Sequence, residues 1–191
     1  MEWIECKRLI IQDLNRLTDV GAWKLVRYLV TNASSRITFW FRMGSYLAQK
    51  HNPIFKLFYF IAFIIHKHNQ YLTGIQLPLG TQIGGGLKFQ HFGCVVINKG
   101  AIIGENCTIF QGVTIGMLPF KSSPYPVIGD NVVLSTNVCV LGNVHIGDNS
   151  IVGAGSVVVR DIPKCSIAVG SPAKSISFEG KKHVDFYITH T

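Results

Sequence analysis

Over the first 72 positions apolar residues recur at spacings of three and four, as in LIIQDLNRL and AWKLVRYLV, and no proline precedes Pro53. Both features predict helices. RITFWFRMGSYLAQKHN follows, then PIFKLFYFIAFIIHKHNQYLTG, which Pro53 is well placed to open. This last segment is apolar nearly all round. Its apolar run, Ile54 to Ile65, holds twelve residues including Lys56, short of the roughly 20 needed to span a bilayer. Two readings stand for it. In one it is a buried helix packed in an oligomer. In the other, residues 36–68 rest on an anionic leaflet, aromatics in the acyl boundary and Lys50, Lys56 and Lys67 at the headgroups.

From Thr73 the texture changes. Glycines become frequent and an aliphatic recurs every six positions: Ile128, Leu134, Val140, Ile146, Val152, Val158. The same phase runs upstream through Ile97, Ile103, Ile109 and Ile115, with Ile83 and Phe89 further back. Such a period predicts a parallel β-helix. Each hexad is a short strand and a turn, three hexads close one triangular coil, and the aliphatics stack inside. Twelve hexad starts give about four coils. The glycine that often follows the aliphatic is expected at a corner needing permissive backbone angles. A β-sandwich, with turn signals every 8–12 residues, does not fit six hexads in phase. The chain thus divides into a helical N-terminal region (1–72), a β-helix (73–175) and a tail (176–191).

Two steps break the period: eight residues from Phe89 to Ile97, and thirteen from Ile115 to Ile128. An insertion makes a loop without disturbing the stack, so chemistry is sought there. The first contains Gln90-His91-Phe92-Gly93-Cys94. The second contains GMLPFKSSPYPV, with Lys121, Ser122, Ser123 and Tyr125.

The 191 residues are 48% apolar and 15% charged, with mean hydropathy +0.30. That excludes a disordered chain and points to apolar surface buried in an assembly or at a membrane. Of the net +8, residues 1–72 contribute +6, from ten basic and four acidic side chains. The β-helix has no basic stripe or nucleic-acid motif, so no nucleic-acid partner is expected. Five scattered cysteines make neither a zinc site nor a disulfide framework. MEWIECKRLIIQDL lacks a signal-peptide pattern. A cytoplasmic protein is expected, with a peripheral seat at the inner face of the plasma membrane under the second reading of residues 36–68.

The segments QHFG at 90–93, GVTIG at 112–116, GAGSVV at 153–158 and VGSPAK at 169–174 together resemble the hexapeptide-repeat acyltransferases of the serine acetyltransferase type, over roughly residues 74–175. The resemblance implies a left-handed β-helix assembled as a homotrimer or a dimer of trimers, with acetyl-CoA as co-substrate between neighbouring subunits and no metal. It makes His91 the general base. Neutral imidazole, with an unperturbed pKa near 6.5, suits removal of a hydroxyl proton at neutral pH. By the same resemblance Gly116, Thr136, Ala154, Gly155, Ser156 and Lys174 line the cofactor groove.

Three positions depart from serine acetyltransferases. Gln76 and Gln90 stand where that family has aspartates, and Pro124-Tyr125 where it has an Arg-His pair. Neutral groups at Gln76, Gln90 and Tyr125 suit a saccharide hydroxyl better than a zwitterion. HFGCVVINKGAIIG resembles the colanic acid and capsular polysaccharide acetyltransferases. The expectation is an acetyl-CoA-dependent O-acetyltransferase acting on a surface polysaccharide or its precursor. Serine O-acetyltransferase is the alternative. A metal enzyme of the γ-carbonic anhydrase kind would need three converging histidines, and only His91 and His145 lie in the coils. A covalent route through Cys94 is disfavoured, since its place before the VVI strand suggests a packed residue. A non-catalytic scaffold is the remaining reading.

Overall fold

The computed structural model describes residues 1–17, 22–118 and 124–189. Lys121, Ser122 and Ser123 lie outside the described residues. Four helices come first: α1 (Trp3–Asn15), α2 (Ala22–Thr31), α3 (Ala33–Leu47) and α4 (Pro53–Thr73). Asn32 caps α3, its side chain accepting from Ser35 N at 3.1 Å. Asn52 caps α4 in the same way, accepting from Ile54 N at 2.9 Å, with Pro53 where no N–H is needed. Gly74, at φ 68°, ends α4 in the left-handed conformation.

From Ile75 the chain winds as a left-handed parallel β-helix. Its first face stacks β1 (Ile75–Gln76), β4 (Val95–Ile97), β7 (Thr114–Gly116), β10 (Cys139–Leu141) and β13 (Val157–Val158). The second stacks β2 (Gln82–Ile83), β5 (Ile102–Ile103), β8 (Val127–Ile128) and β11 (His145–Ile146). The third stacks β3 (Lys88–Phe89), β6 (Thr108–Ile109), β9 (Val133–Leu134), β12 (Ile151–Val152) and β14 (Ile167–Gly170). An antiparallel β15 (Ala173–Ser177) closes the third face, and α5 (Gly180–Thr189) follows. The nine periodic aliphatics from Ile103 to Val158 are at most 2% exposed, each contributing about 1.5–3 kcal/mol by burial. The stack also runs past them, with Leu77 before and Ala168 after, both fully buried.

The glycines after the aliphatics have a different cause from the one expected. Gly84, Gly104, Gly129 and Gly147 do not have positive φ. They sit where successive coils touch: a Cβ on Gly84 would lie 2.7 Å from Gly104 C, and one on Gly104 2.7 Å from Gly129 C. Along one edge the left-handed corners are taken instead by Asn106, Asn131 and Asn149, at φ 55–57°. Their side chains form a ladder, Asn106 donating to Asn131 and Asn131 to Asn149, each at 3.1 Å.

A buried ion pair fastens the helices to the coils. Arg42 of α3 donates to Asp13 of α1 (Nε to Oδ2, 2.9 Å) and to the carbonyls of Ile83 and Gly84 at 2.6 Å each. Asp13 in turn accepts from Leu87 N at 2.9 Å. Arg16 donates to Gly86 O, Thr108 Oγ1 and Tyr187 O, joining α1, the coils and α5.

His66 of α4 is fully buried, its Nε2 2.7 Å from Leu77 O. A carbonyl only accepts, so Nε2 carries the hydrogen and Nδ1 is left buried without a partner. Burial lowers the ring's pKa. Between that lowered value and about 6.5 the unfolded chain binds a proton that the folded chain does not. Stability should therefore fall as pH drops below about 6.5. His66→Gln keeps an N–H donor and does not titrate, so its Tm should fall less over the same range, as differential scanning fluorimetry would read.

Candidate active site

The third face meets the first along one edge of the prism, and the eight-residue step falls there. Gln90 N still bonds Ile109 O at 3.0 Å, while Gly93 O already accepts from Gly112 N at 3.0 Å. The two extra residues, His91 and Phe92, therefore stand out from the edge, and both are exposed. Their surroundings form an open cavity of about 320 Å³ between β3 and the start of α3. Its walls are Thr31 to Ser34 on one side and Phe89 to Phe92 on the other. Ser34 Oγ accepts from Phe89 N at 2.9 Å and fixes the helix to the strand. The positive end of α3 thus faces the imidazole across the cavity, a setting that favours an anionic group.

The His91 ring meets Phe110 edge-on at 6.0 Å, and Phe110 meets Tyr187 of α5 at 6.1 Å. Among the described residues nothing hydrogen-bonds the His91 ring. Beside it, the amide oxygens of Gln90 and Gln111 are buried without partners. Gln111, the aromatic backing and the wall formed by α3 were not found in the sequence. Gln111 occupies a regular coil position, and α3 is 55 residues away from the strand it touches.

The register pairing Ile109 with Leu134, and Leu134 with Val152, puts Gln111, Thr136 and Ala154 at successive levels of this edge. Gly155, at φ 69°, donates its N–H to Thr136 O at 2.8 Å. Among the described residues, apart from the adjoining ones in the chain, no atom lies within 4 Å of a Cβ built on Gly155 or Gly116, so both backbones are bare to an approaching chain. Gly116 lies on the first face, and Lys174 is exposed on β15. Ser156 is different: it is fully buried and its Oγ accepts from Gly170 N at 3.1 Å. Cys94, expected to be packed, is exposed, with φ 51°. It does not line the His91 cavity.

Two of the three positions behind the saccharide expectation are elsewhere. Gln76 lines a separate cavity of about 340 Å³ with Lys67, Gln70, Tyr71 and Gly74. The Tyr125 ring lies over Gly100, between the first and second faces. Only Gln90 borders the cavity that His91 enters.

Residues 125–160 match the family model for the bacterial transferase hexapeptide (six repeats). The chain is 40% identical over 126 residues to the serine acetyltransferase of Bacillus subtilis (strain 168), covering 65% of this chain and 58% of that protein. It is 41% identical over 121 residues to the serine acetyltransferase of Helicobacter pylori (strain ATCC 700392 / 26695), covering 63% and 71%. The chain thus spans little more than half the length of the Bacillus relative. Among solved structures it resembles the Neisseria gonorrhoeae serine acetyltransferase in complex with serine, with TM-score 0.73, 26% identity and coverage of 92% and 70%. Soybean serine acetyltransferase complexed with serine gives TM-score 0.75 at 26% identity, covering 91% and 70%.

These relatives overturn the expected polysaccharide branch and its saccharide acceptor, together with the capsule assignment. The physical reason is visible in the fold. Residues that do not face the cavity, Gln76 and Tyr125, say nothing about what the cavity grips. The chain belongs to the hexapeptide-repeat acyltransferases of the serine acetyltransferase type.

Proposed function

We propose that this chain is a serine O-acetyltransferase that moves an acetyl group from acetyl-CoA to the hydroxyl of L-serine, with His91 as general base. One observation carries the reading: the period break projects an imidazole into an open cavity, in a chain whose relatives at 36–41% identity are serine acetyltransferases. His91 takes the proton of the acceptor hydroxyl as that oxygen bonds to the thioester carbonyl carbon. The carbon–sulfur bond then breaks, and the proton passes from the imidazolium to the CoA sulfur. The first turn of α3 favours the carboxylate end of the amino acid, and Gln90 is the substrate-binding position at the cavity rim.

Residues 73–175 form the acetyltransferase domain in this reading, 1–72 its helical N-terminal region and 176–191 a tail. The functional unit is a homotrimer, with acetyl-CoA between neighbours. Bare backbone at Gly116 and Gly155 suits the pantetheine arm. Thr136 and Ala154 lie along the same groove, and exposed Lys174 serves the CoA phosphates.

Release of CoA thiol from acetyl-CoA on adding L-serine tests the assignment, and no turnover with L-serine rejects it. The transfer is direct, without an acyl-enzyme. Cys94→Ala should retain most of the wild-type rate, and loss of turnover in that variant would overturn direct transfer.

A further inference from the structure

Helix α4 is packed along one side only. Ala62, His66, Asn69, Gln70 and Thr73 are buried. Away from that side Leu57, Phe60, Ile61 and Ile64 are 45–61% exposed, and in the turns before Ala62 Ile54 and Phe58 are exposed too, at 65% and 54%. Next to them an apolar groove of about 530 Å³ runs between α4 and the α1 and α3 helices, lined by Trp3, Trp40, Tyr46, Phe55 and Phe58 among others. Among the described residues no helix is long and apolar enough to cross a membrane, so this surface does not belong to a span.

Charge identifies what covers it. From residue 20 to residue 104 the chain has nine Lys and Arg and not one Asp or Glu. Lys56 and Lys67 are eleven positions apart, three turns on the same side of α4. The Lys67 ammonium sits 5.9 Å from the Phe63 ring centroid, and that of Lys50 4.9 Å from the Tyr46 centroid. These are apolar stems with charged tips, one beside the exposed Phe63 and the other over the buried Tyr46, an arrangement that suits the boundary between acyl chains and headgroups. A second copy docked through α4 would bring these lysines against helices α2 to α4, which carry no carboxylate. Of the acidic residues at neighbouring α1, Asp13 is buried against Arg42 and Glu5 is already paired with Arg8 at 2.8 Å, which leaves Glu2 alone to meet them.

We propose that α4 seats the protein on an anionic lipid leaflet, its apolar side in the acyl boundary and Lys50, Lys56 and Lys67 among the headgroups. The inference is independent of the acceptor and of the transfer reaction. It is tested by sedimentation of the full chain with phosphatidylcholine vesicles, with and without phosphatidylglycerol.

The protein should pellet with the anionic vesicles, stay in solution with the neutral ones, and be released as salt is raised. Lys56→Gln with Lys67→Gln should weaken partitioning about fivefold per lysine. Leu57→Glu with Phe60→Glu should abolish it with an unchanged far-UV circular dichroism spectrum, since both side chains are exposed. If that pair fails to fold, the lysine pair and the salt titration still decide. Equal binding to neutral vesicles, or none to anionic ones, overturns the proposal. So does an assembly that dissociates on Leu57→Glu with Phe60→Glu, which would assign the surface to a second copy.

Discussion

Alanine at position 91 is expected to lower kcat by about 10²–10⁴-fold, the usual contribution of a positioned general base, while the KM for acetyl-CoA changes little. The separation follows from geometry. His91 stands in the cavity beside α3, whereas the bare backbones at Gly155 and Gly116 lie further along the coils. The fold should not suffer. The ring is exposed and, among the described residues, the one aromatic ring it meets is Phe110, edge-on. Steady-state kinetics with L-serine, set beside calorimetric CoA binding to the variant, checks the prediction. A comparable fall in CoA affinity would mean that His91 holds the cofactor and does not take the proton.

The second large effect concerns stability. Arg42→Ala removes four donated hydrogen bonds and leaves the Asp13 carboxylate, 2% exposed, without its cation. Breaking a buried pair in this way costs about 3–5 kcal/mol, a large share of an ordinary domain's 5–15 kcal/mol. Urea unfolding should show a much lower midpoint. Asp13→Leu with Arg42→Met should recover part of the loss, because two apolar groups leave no buried charge behind. Activity should weaken too. Arg42 and Ser34 hold α3 to the coils at two places, and the start of α3 is a wall of the His91 cavity.

The β-helix was legible because its period is local. One aliphatic every six residues needs no knowledge of distant contacts, and the break in that period marked His91 as a residue pushed out of the stack. The cause of the glycine positions was not legible. Both a left-handed corner and a close approach of coils select glycine, and only the stacked structure separates Gly104, which meets the next coil, from Asn106, which turns the corner. The acceptor was misread for a related reason. Aligned motifs placed Gln76, Gln90 and Tyr125 together as a substrate grip, but position along a chain does not tell which cavity a side chain enters. The wall of α3 depends on a hydrogen bond between residues 34 and 89, which no periodicity encodes.

The thirteen-residue step between Ile115 and Ile128 leaves both of those side chains in the core, 0% and 1% exposed. The coil on either side keeps its pairing, with Ile103 opposite Ile128 and Val140 opposite Ile115. Chain length at this edge is therefore decoupled from the architecture. The step from Phe89 to Ile97 absorbs two extra residues in the same way, with both ends buried, whereas a residue inserted within a strand would turn the following aliphatic out of the prism. At the thirteen-residue edge evolution can add, drop or rewrite residues one at a time. An engineer seeking a place for a tag or a grafted recognition loop would choose the same edge.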